Sequence, residues 1–239
     1  MRRQAGAPEL LDGPLDLRTL ESNLRDLARV NRWLGGVDLS WRALEPLLAT
    51  NRDTPLRMLD VGTGAADIPI DLARRANRPR MRLGIVATDI RAEIVDLAAR
   101  RVAQSGAQGI EVRLAPADRI DADDRSFDIV HASLVLHHLD PADAAYLMRE
   151  MARVASQAVI VNDLDRRRIW WLGAWLLAHA ATGNRYTRHD APLSVRRAYR
   201  PNELSAMAEA HGLREVARYR SRPGYRYAVV FAPVGDANG

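Results

Sequence analysis

Two residue types are missing from the 239-residue chain, and each absence removes a class of chemistry. There is no cysteine, so disulfides, zinc–thiolate sites and thiol nucleophiles are excluded. There is also no lysine, so all 35 basic residues are arginine. Schiff-base enzymes, pyridoxal enzymes and Walker-A ATPases each need a lysine, and all three classes are therefore excluded.

The basic character of the chain does not by itself indicate a nucleic-acid partner. The isoelectric point is near 10.2 although the formal net charge is only +5, because arginine alone sets it. The arginines are spread along the chain, and their densest run covers only residues 166–168. A solvated surface is the favoured interpretation. Residues 1–20 lack the apolar core of a signal peptide, so we expect a cytoplasmic protein. Its length and composition fit one globular domain with a small cap.

A strand, a glycine turn and a helix are predicted to follow one another near position 60. The apolar run over residues 56–61 is typical of a buried parallel strand, and Gly62 and Gly64 break it before a helical pattern begins. Such a turn lets a ligand approach the backbone at a helix N-terminus. The third glycine of the dinucleotide fingerprint is replaced by Asp67, and this acid and Asp60 would repel a pyrophosphate. The turn therefore favours a cationic nucleoside.

This turn resembles the first motif of the class I S-adenosylmethionine-dependent methyltransferases. The acid-x-Gly-x-Gly pattern of that family is matched by Asp60, Gly62 and Gly64. The resemblance implies S-adenosylmethionine as the cofactor, S-adenosylhomocysteine as the product, and a place for Thr63 beside the cofactor. A glycine-rich turn of some other α/β protein is the alternative.

The rest of the chain alternates between predicted strands and helices. This rhythm predicts a doubly wound parallel sheet with its ligands at the carboxyl ends of the strands. The turn at residues 221–224 predicts a closing antiparallel hairpin, and the resemblance then implies a seven-stranded, Rossmann-like α/β fold. We expect an N-terminal helical cap over residues 1–50, the methyltransferase domain over residues 51–233, and a helical insertion at about residues 165–200. The predicted strands cover residues 56–61, 83–87, 110–114, 127–132, 158–161, 215–219 and 225–231.

Polar residues at the predicted strand ends are candidates for cofactor binding. Asp89 ends the second strand, where an acid can bind both ribose hydroxyls; a helix N-cap is the alternative role. By the resemblance, Ile90 lies against the adenine ring and Ala117 and Asp118 hold it, with Asp118 accepting from the exocyclic amine unless it is simply one of several loop acids. Ser133, which ends the fourth strand, completes the predicted set.

The segment after the fourth strand carries the candidate catalytic groups. Residues 133–141 resemble the Leu-His-His-Leu stretch of small-molecule members of the family, and they lack the Asn/Asp-Pro-Pro-aromatic signature of nucleic-acid amino-methyltransferases. The resemblance implies His138 as the base that takes a phenol proton, with His137 as the second candidate; a structural bond to backbone is the alternative. Asp163, at the end of the fifth strand, orients the imidazole or accepts the proton. No metal is expected, because the order Asn162–Asp163 is the reverse of that in the metal-dependent catechol-type enzymes.

Two segments are expected to frame the methyl acceptor. In the first, Arg32 and Trp33 are lid residues. In the second, an apolar helix over residues 169–181 is followed by a polar loop over residues 182–194. The helix is either a buried cap or an interfacial helix that makes peripheral membrane contact. His189, in the loop, is an alternative base, and the candidate substrate contacts in and after the loop are Asp190, Arg196 and Tyr199. The alternative is a solvated loop without a role in the site.

The sequence therefore predicts methyl transfer to the oxygen of a phenol or hydroxyquinone. The chain resembles bacterial methyltransferases of phenolic polyketide or quinone-type substrates, which implies a small aromatic acceptor and a role in secondary metabolism. C-methylation of a membrane quinone and a cofactor-binding but inactive partner subunit are the alternatives. The acceptor itself and the oligomeric state do not follow from the fold.

Overall fold

A computed structural model describes residues 1–7, 9–10, 13, 19, 22–25, 29, 31, 35–51, 54–78, 81–115, 119–181, 185–222 and 224–234. Helices and strands alternate through most of this range. In chain order they are α1 (Gly36–Thr50), β1 (Leu56–Val61), α2 (Asp67–Ala76), β2 (Leu83–Asp89), α3 (Ala92–Ser105), β3 (Ile110–Leu114), β4 (Phe127–Ser133), α4 (Pro141–Val154), β5 (Ala155–Leu164), α5 (Arg168–Ala181), α6 (Arg185–Arg197), α7 (Pro201–Glu209), β6 (Leu213–Arg220) and β7 (Arg226–Pro233), with a 3₁₀ turn at Leu136–His138 between β4 and α4.

The strands form one seven-stranded sheet in the order β3-β2-β1-β4-β5-β7-β6. β1 to β5 are parallel to their neighbours, whereas β7 runs antiparallel to both β5 and β6. This confirms the predicted Rossmann-like sheet with a terminal antiparallel hairpin. The strand order reverses between β1 and β4, and a doubly wound sheet opens a ligand crevice at that point, outside the carboxyl ends of the strands.

Apolar clusters cover both faces of the sheet, which is why its central strands read as continuous apolar runs. On one face, α4 and α7 pack against β4, β5 and β7 through residues such as Met148, Met151 and Leu204. On the other face, α1 and α2 pack against β1 through Leu44, Leu48 and Leu72. The apolar positions of α1 are therefore part of the main core.

The predicted loop over residues 182–194 is wrong, because residues 185–197 form α6. Its sequence is polar and contains Pro192, so local propensity argues against a helix. Burial of Leu193 and Val195, with Val195 packed against the α5 cluster, outweighs that propensity. The strand predicted over residues 158–161 is likewise longer at both ends, as β5.

Within the cap, the helical spacing of apolar residues predicts one helix over residues 16–34 and a second over residues 39–49. The first lies mostly outside the described residues. The second predicted N-terminal helix is α1, which begins three residues earlier than expected, after Gly35 in the left-handed conformation. No helix in the described part of the chain is both long and apolar enough to cross a membrane.

Candidate active site

The glycine turn after β1 is built for close approach of a ligand. Gly62 and Gly64 both adopt positive φ, at +68° and +54°. A Cβ on Gly62 would lie 2.6 Å from Cγ2 of Val135, whereas a Cβ on Gly64 would meet nothing closer than 3.9 Å. The turn is tied to the end of β2, since the Thr63 N–H donates to the carbonyl of Thr88 at 2.8 Å. Two neighbouring strand ends therefore share one rigid edge.

Asp89 lies at that edge, where it was predicted to bind ribose. Its Oδ2 accepts the Gly64 N–H at 3.0 Å, and its Oδ1 accepts the Arg91 N–H at 3.2 Å. The carboxylate is thus fixed in orientation, and each oxygen keeps acceptor capacity for a hydroxyl. Burial raises the pKa of Asp89, and the backbone N–H groups of Gly64, Arg91 and Ile90 offset part of that rise.

A cavity of about 690 Å³ opens over this edge, within the size range of small-molecule sites. Two apolar side chains on its wall, Ile90 and Leu114, are 60% and 58% exposed, as an adenine-binding surface requires. Oγ1 of Thr63 is buried and has no hydrogen-bond partner among the described residues, so it can serve a polar ligand. These features fit a nucleoside of the predicted kind. Ala117 and Asp118, the predicted adenine contacts, lie outside the described residues.

Asp60 also lines the cavity, but its carboxylate has a partner that the sequence did not reveal. Nδ1 of His131, on β4, lies 2.5 Å from Oδ1 of Asp60. The other ring nitrogen lies 2.8 Å from Oγ of Ser40, which in turn accepts the side-chain amide of Asn162 at 2.8 Å. This buried chain of hydrogen bonds fixes Asp60 from behind and leaves its second oxygen at the cavity.

These hydrogen bonds continue to Arg226, whose guanidinium is fully buried on β7. It donates to Oδ1 of Asn162 at 2.9 Å, to Oγ of Ser133 at 2.9 Å and to Oδ1 of Asn31 at 2.5 Å. The Asn31 side-chain amide then donates to Asp67 at 3.1 Å. Burial lowers the pKa of Arg226. Ser133, a predicted cofactor residue, is therefore held in the cavity wall by the Arg226 guanidinium, which lies 93 residues later in the sequence.

The two histidines of the Leu-His-His-Leu stretch have different surroundings. His138 lies on the cavity wall, with its side chain 32% exposed. His137 is buried, with Nδ1 2.7 Å from Oδ1 of Asp163, and the His137 N–H donates to Oδ2 of the same acid. Burial by itself would raise the pKa of Asp163, but the His137 charge and hydrogen bond and the Leu164 N–H hold it below its ordinary value.

Asp163 and His137 were predicted as candidate catalytic groups, and in the structure they pair with each other. Neither side chain is part of the described cavity wall. Because Asp163 pairs with His137, it does not orient His138 directly. The pair lies behind the wall and holds the turn that presents His138.

A carboxylate from the N-terminal segment completes this part of the site. Glu9 is buried, with Oε2 3.8 Å from Nδ1 of His138 and Oε1 3.9 Å from Nε2 of His137. Ser194 donates to Oε1 at 2.8 Å. The three side chains form a His₂Glu set whose donor atoms all lie within 4.8 Å of one another. A tetrahedral metal site holds such atoms about 3.4 Å apart, so the set is more open than a site closed around an ion.

Arg197 fixes the histidine turn from the side of α6. Its guanidinium donates to the backbone carbonyls of His137, His138 and Ala7. Sequence reasoning missed both Arg197 and Glu9, because the contacts that give them a role span 59 residues or more of the chain.

The predicted acceptor contacts lie elsewhere, and none is on the described cavity wall. The Tyr199 hydroxyl donates to the Leu139 carbonyl at 3.0 Å, and burial raises the pKa of Tyr199 to about 12. Arg196 is exposed and lies over the ring of Trp171. Oδ1 of Asp190 accepts the Leu10 N–H at 2.9 Å and lies 2.7 Å from Nδ1 of the exposed His189. These residues hold α6 and the N-terminal segment together. The predicted lid residues, Arg32 and Trp33, lie outside the described residues.

Comparisons with known proteins agree with this site. A family model described as a methyltransferase domain matches residues 58–157. The demethylmenaquinone methyltransferase of Deinococcus radiodurans is 29% identical over 207 residues, covering 80% of this chain and 81% of that protein. The ubiquinone/menaquinone biosynthesis C-methyltransferase UbiE of Geotalea daltonii is 31% identical over 129 residues, or 52% of each chain. That match spans about half the length of the relative.

Solved structures share the fold at low sequence identity. A SAM-dependent methyltransferase from Aquifex aeolicus superposes with a TM-score of 0.65 at 19% identity, covering 92% of this chain and 100% of that one. Magnesium protoporphyrin IX methyltransferase from Synechocystis, solved with bound SAH, superposes with a TM-score of 0.60 at 15% identity, covering 93% and 91%. The family match makes residues 58–157 a methyltransferase domain, and the solved structures show that the chain has the fold of class I S-adenosylmethionine-dependent methyltransferases. The glycine turn and Asp89 lie where that fold holds its cofactor, S-adenosylmethionine.

Proposed function

We propose that this enzyme transfers a methyl group to the oxygen of a phenol or hydroxyquinone and that His138 takes the proton of that hydroxyl. The observation that carries the proposal is the position of His138. It lies on the wall of the same cavity that contains the glycine turn and Asp89. An imidazole titrates near neutral pH, which suits a group that removes a proton from a phenol.

The residues of the site divide the work between binding and proton transfer. When bound, S-adenosylmethionine supplies a methyl group on a positive sulfur, which keeps the bonding electron pair as the methyl leaves. Asp89, Thr63 and Asp60 hold the nucleoside and amino-acid parts. Holding two reactants in line is worth about 7–11 kcal/mol of a barrier, and a positioned base adds about 10²–10⁴-fold in rate.

Glu9 supports the proton transfer electrostatically. Its buried carboxylate lies 3.8 Å from Nδ1 of His138. A negative charge at that distance stabilises the imidazolium that forms when Nε2 takes a proton, by about 4 kcal/mol at an effective dielectric constant of 20. The His137–Asp163 pair and Arg197 keep the turn in place while the charge forms.

C-methylation is the second candidate, and the curated relatives favour it. One relative described above is named a ubiquinone/menaquinone biosynthesis C-methyltransferase, and the other a demethylmenaquinone methyltransferase. Deprotonation at the ring hydroxyl serves both outcomes, since the negative charge of a phenolate is shared between its oxygen and the ortho ring carbons. After attack through carbon, that carbon loses its own proton and the ring regains aromaticity.

Turnover with methyl-labelled cofactor tests the proposal. Calorimetry first measures S-adenosylmethionine binding, and trideuteromethyl transfer is then followed by mass spectrometry over a panel of phenols, quinols and hydroxyquinones. Labelled product is expected, and NMR of that product separates O–CD₃ from C–CD₃. Cofactor binding without transfer to any acceptor would instead support the inactive-subunit alternative.

The His138→Gln variant tests the assigned base. It should bind cofactor like the parent enzyme and lower kcat by about 10²–10⁴-fold. The matched control is His211→Gln, which changes a histidine that is not on the described cavity wall and should leave kcat unchanged. A parent-like kcat in His138→Gln would remove His138 from the proton transfer.

A further inference from the structure

Helix α5 carries a row of large apolar side chains that no other part of the described chain covers. Its inner face packs Ala174 against Leu164 and Val195. Its outer face leaves Ile169 65% exposed and Leu176 53% exposed, on one side of the helix because they are seven residues apart. Leu172, Trp175 and Leu177 are also exposed. A contiguous patch of this kind marks an interaction surface.

The sequence around this patch is basic, and Arg166 and Arg167 pair with Glu203 and Asp165. Residues 166–189 contain five arginines, two histidines and no acidic residue. Arg168 is the first residue of α5 and is exposed. A cation at a helix N-terminus is opposed by the helix dipole, so it gains nothing from its own helix. An anionic partner would satisfy this arginine and the positive helix end together.

We propose that the outer face of α5 lies on an anionic phospholipid surface. A helix of 14 residues is about 21 Å long and can lie in the interface with its apolar face about 5–10 Å deep and the exposed Arg168 at the headgroups. Trp175 suits that boundary, because its ring is apolar and its N–H is polar. A second copy of this chain fits the face less well, since a two-fold contact would oppose two acid-free, arginine-rich segments.

The position of α5 connects this surface to the site. The cluster beneath α5 includes Leu134, which lines the cavity. An apolar ring dissolved in lipid would therefore have a short path to His138. This delivery of the acceptor rests on the proposed function, whereas binding of the protein to lipid does not.

Vesicle co-sedimentation tests lipid binding without any turnover. The full chain is spun with vesicles of phosphatidylcholine alone or mixed with phosphatidylglycerol, at low and high salt. We expect it to bind the phosphatidylglycerol vesicles and to be released by salt, because charge attraction is screened. Absence from these vesicles, in protein shown by calorimetry to bind S-adenosylmethionine, would overturn the proposal.

Paired variants locate the contact. Leu176→Glu should weaken vesicle binding at least about tenfold, and Arg168→Gln about fivefold. The matched controls on β6 are Val216→Glu, which changes an apolar residue outside the patch that is 48% exposed, and Arg214→Gln; both should bind like the parent. Parent-like binding of Leu176→Glu, or a dimer in light scattering that this variant dissociates, would show that the face serves another purpose.

Discussion

Replacing Gly62 with alanine should destabilise the protein more than the same change two residues later. Both Gly62 and Gly64 have positive φ, so alanine at either position costs about 1–2 kcal/mol of backbone strain. Only at Gly62 does the new Cβ meet an atom at 2.6 Å, Cγ2 of Val135. Carbon atoms prefer about 3.5–4.0 Å, so one of the two must move by about 1 Å.

That displacement is difficult at Val135. A β-branched side chain has few rotamers to choose from, and Val135 immediately precedes the 3₁₀ turn that carries His138. Overpacking of this size costs about 1–3 kcal/mol. We therefore expect Gly62→Ala to lose about 2–5 kcal/mol of unfolding free energy, against about 1–2 kcal/mol for Gly64→Ala.

Urea denaturation of four variants measures the difference. The four variants are Gly62→Ala, Gly64→Ala, Val135→Ala and the double variant Gly62→Ala/Val135→Ala. Val135→Ala removes Cγ2, so in the double variant it should recover about 1–3 kcal/mol of the Gly62→Ala loss. Equal stability of the two glycine variants, or strictly additive effects in the double variant, would refute this account of the turn. Calorimetry with S-adenosylmethionine should rank the single variants in the same order.

Four further outcomes follow from the same site. Because burial raises the pKa of Asp89, this carboxylate protonates at a less acidic pH than an exposed aspartate, and on acidification cofactor affinity should start to fall above the ordinary titration range of an aspartate; an affinity that stays flat in calorimetry down to that range would contradict the ribose role. Glu9→Gln should lower kcat at least about tenfold and leave cofactor affinity unchanged, whereas equal losses in both would indicate a structural role. Asp163→Asn breaks a buried pair with His137 and should cost about 3–5 kcal/mol of unfolding free energy, with chemical denaturation as the measurement. EDTA should leave turnover unchanged, because the donor atoms of Glu9 and of the histidine turn are 3.8–3.9 Å apart; loss of activity that a divalent ion restores would show a bound metal.

The cofactor half of the site could be predicted because its information is local. The apolar run of β1, the glycines after it and the acid closing β2 are each short patterns with one physical meaning. Parallel strands then bring their carboxyl ends together without any further signal. Asp60, Gly62 and Asp89 accordingly lie where the sequence placed them.

The acceptor half could not be predicted in the same way, because its contacts join distant parts of the chain. Glu9 lies in a segment with no periodic pattern, and only folding places it 3.8 Å from His138. Which histidine Asp163 would orient could not be decided from the sequence, for a related reason. Strand order places it near both histidines, but only the geometry of the 3₁₀ turn decides that it pairs with His137.

Two residues did carry a signal that composition-based reasoning passes over. His131 stands between the apolar residues Val130 and Ala132 of β4, and Arg226 begins β7, whose next six residues are apolar or aromatic. A polar group at such a position is buried, and a buried polar group must be hydrogen-bonded. Each strand therefore implies a partner on a neighbouring element, although the sequence does not say which one.

Those partners explain why the two halves of the site form one rigid unit. His131 holds Asp60 from behind, and the chain of hydrogen bonds from His131 runs through Asn162 to Arg226, which holds Ser133 in the cavity wall. Asn162 is followed by Asp163, which fixes His137 and so the turn bearing His138. At the end of β5, Asn162 thus bonds to the residues that hold Asp60 and Ser133, and Asp163, the next residue, bonds to the turn that carries His138. Because side chains on a strand alternate between faces, two consecutive residues are the shortest stretch of chain that can connect both sides of the sheet.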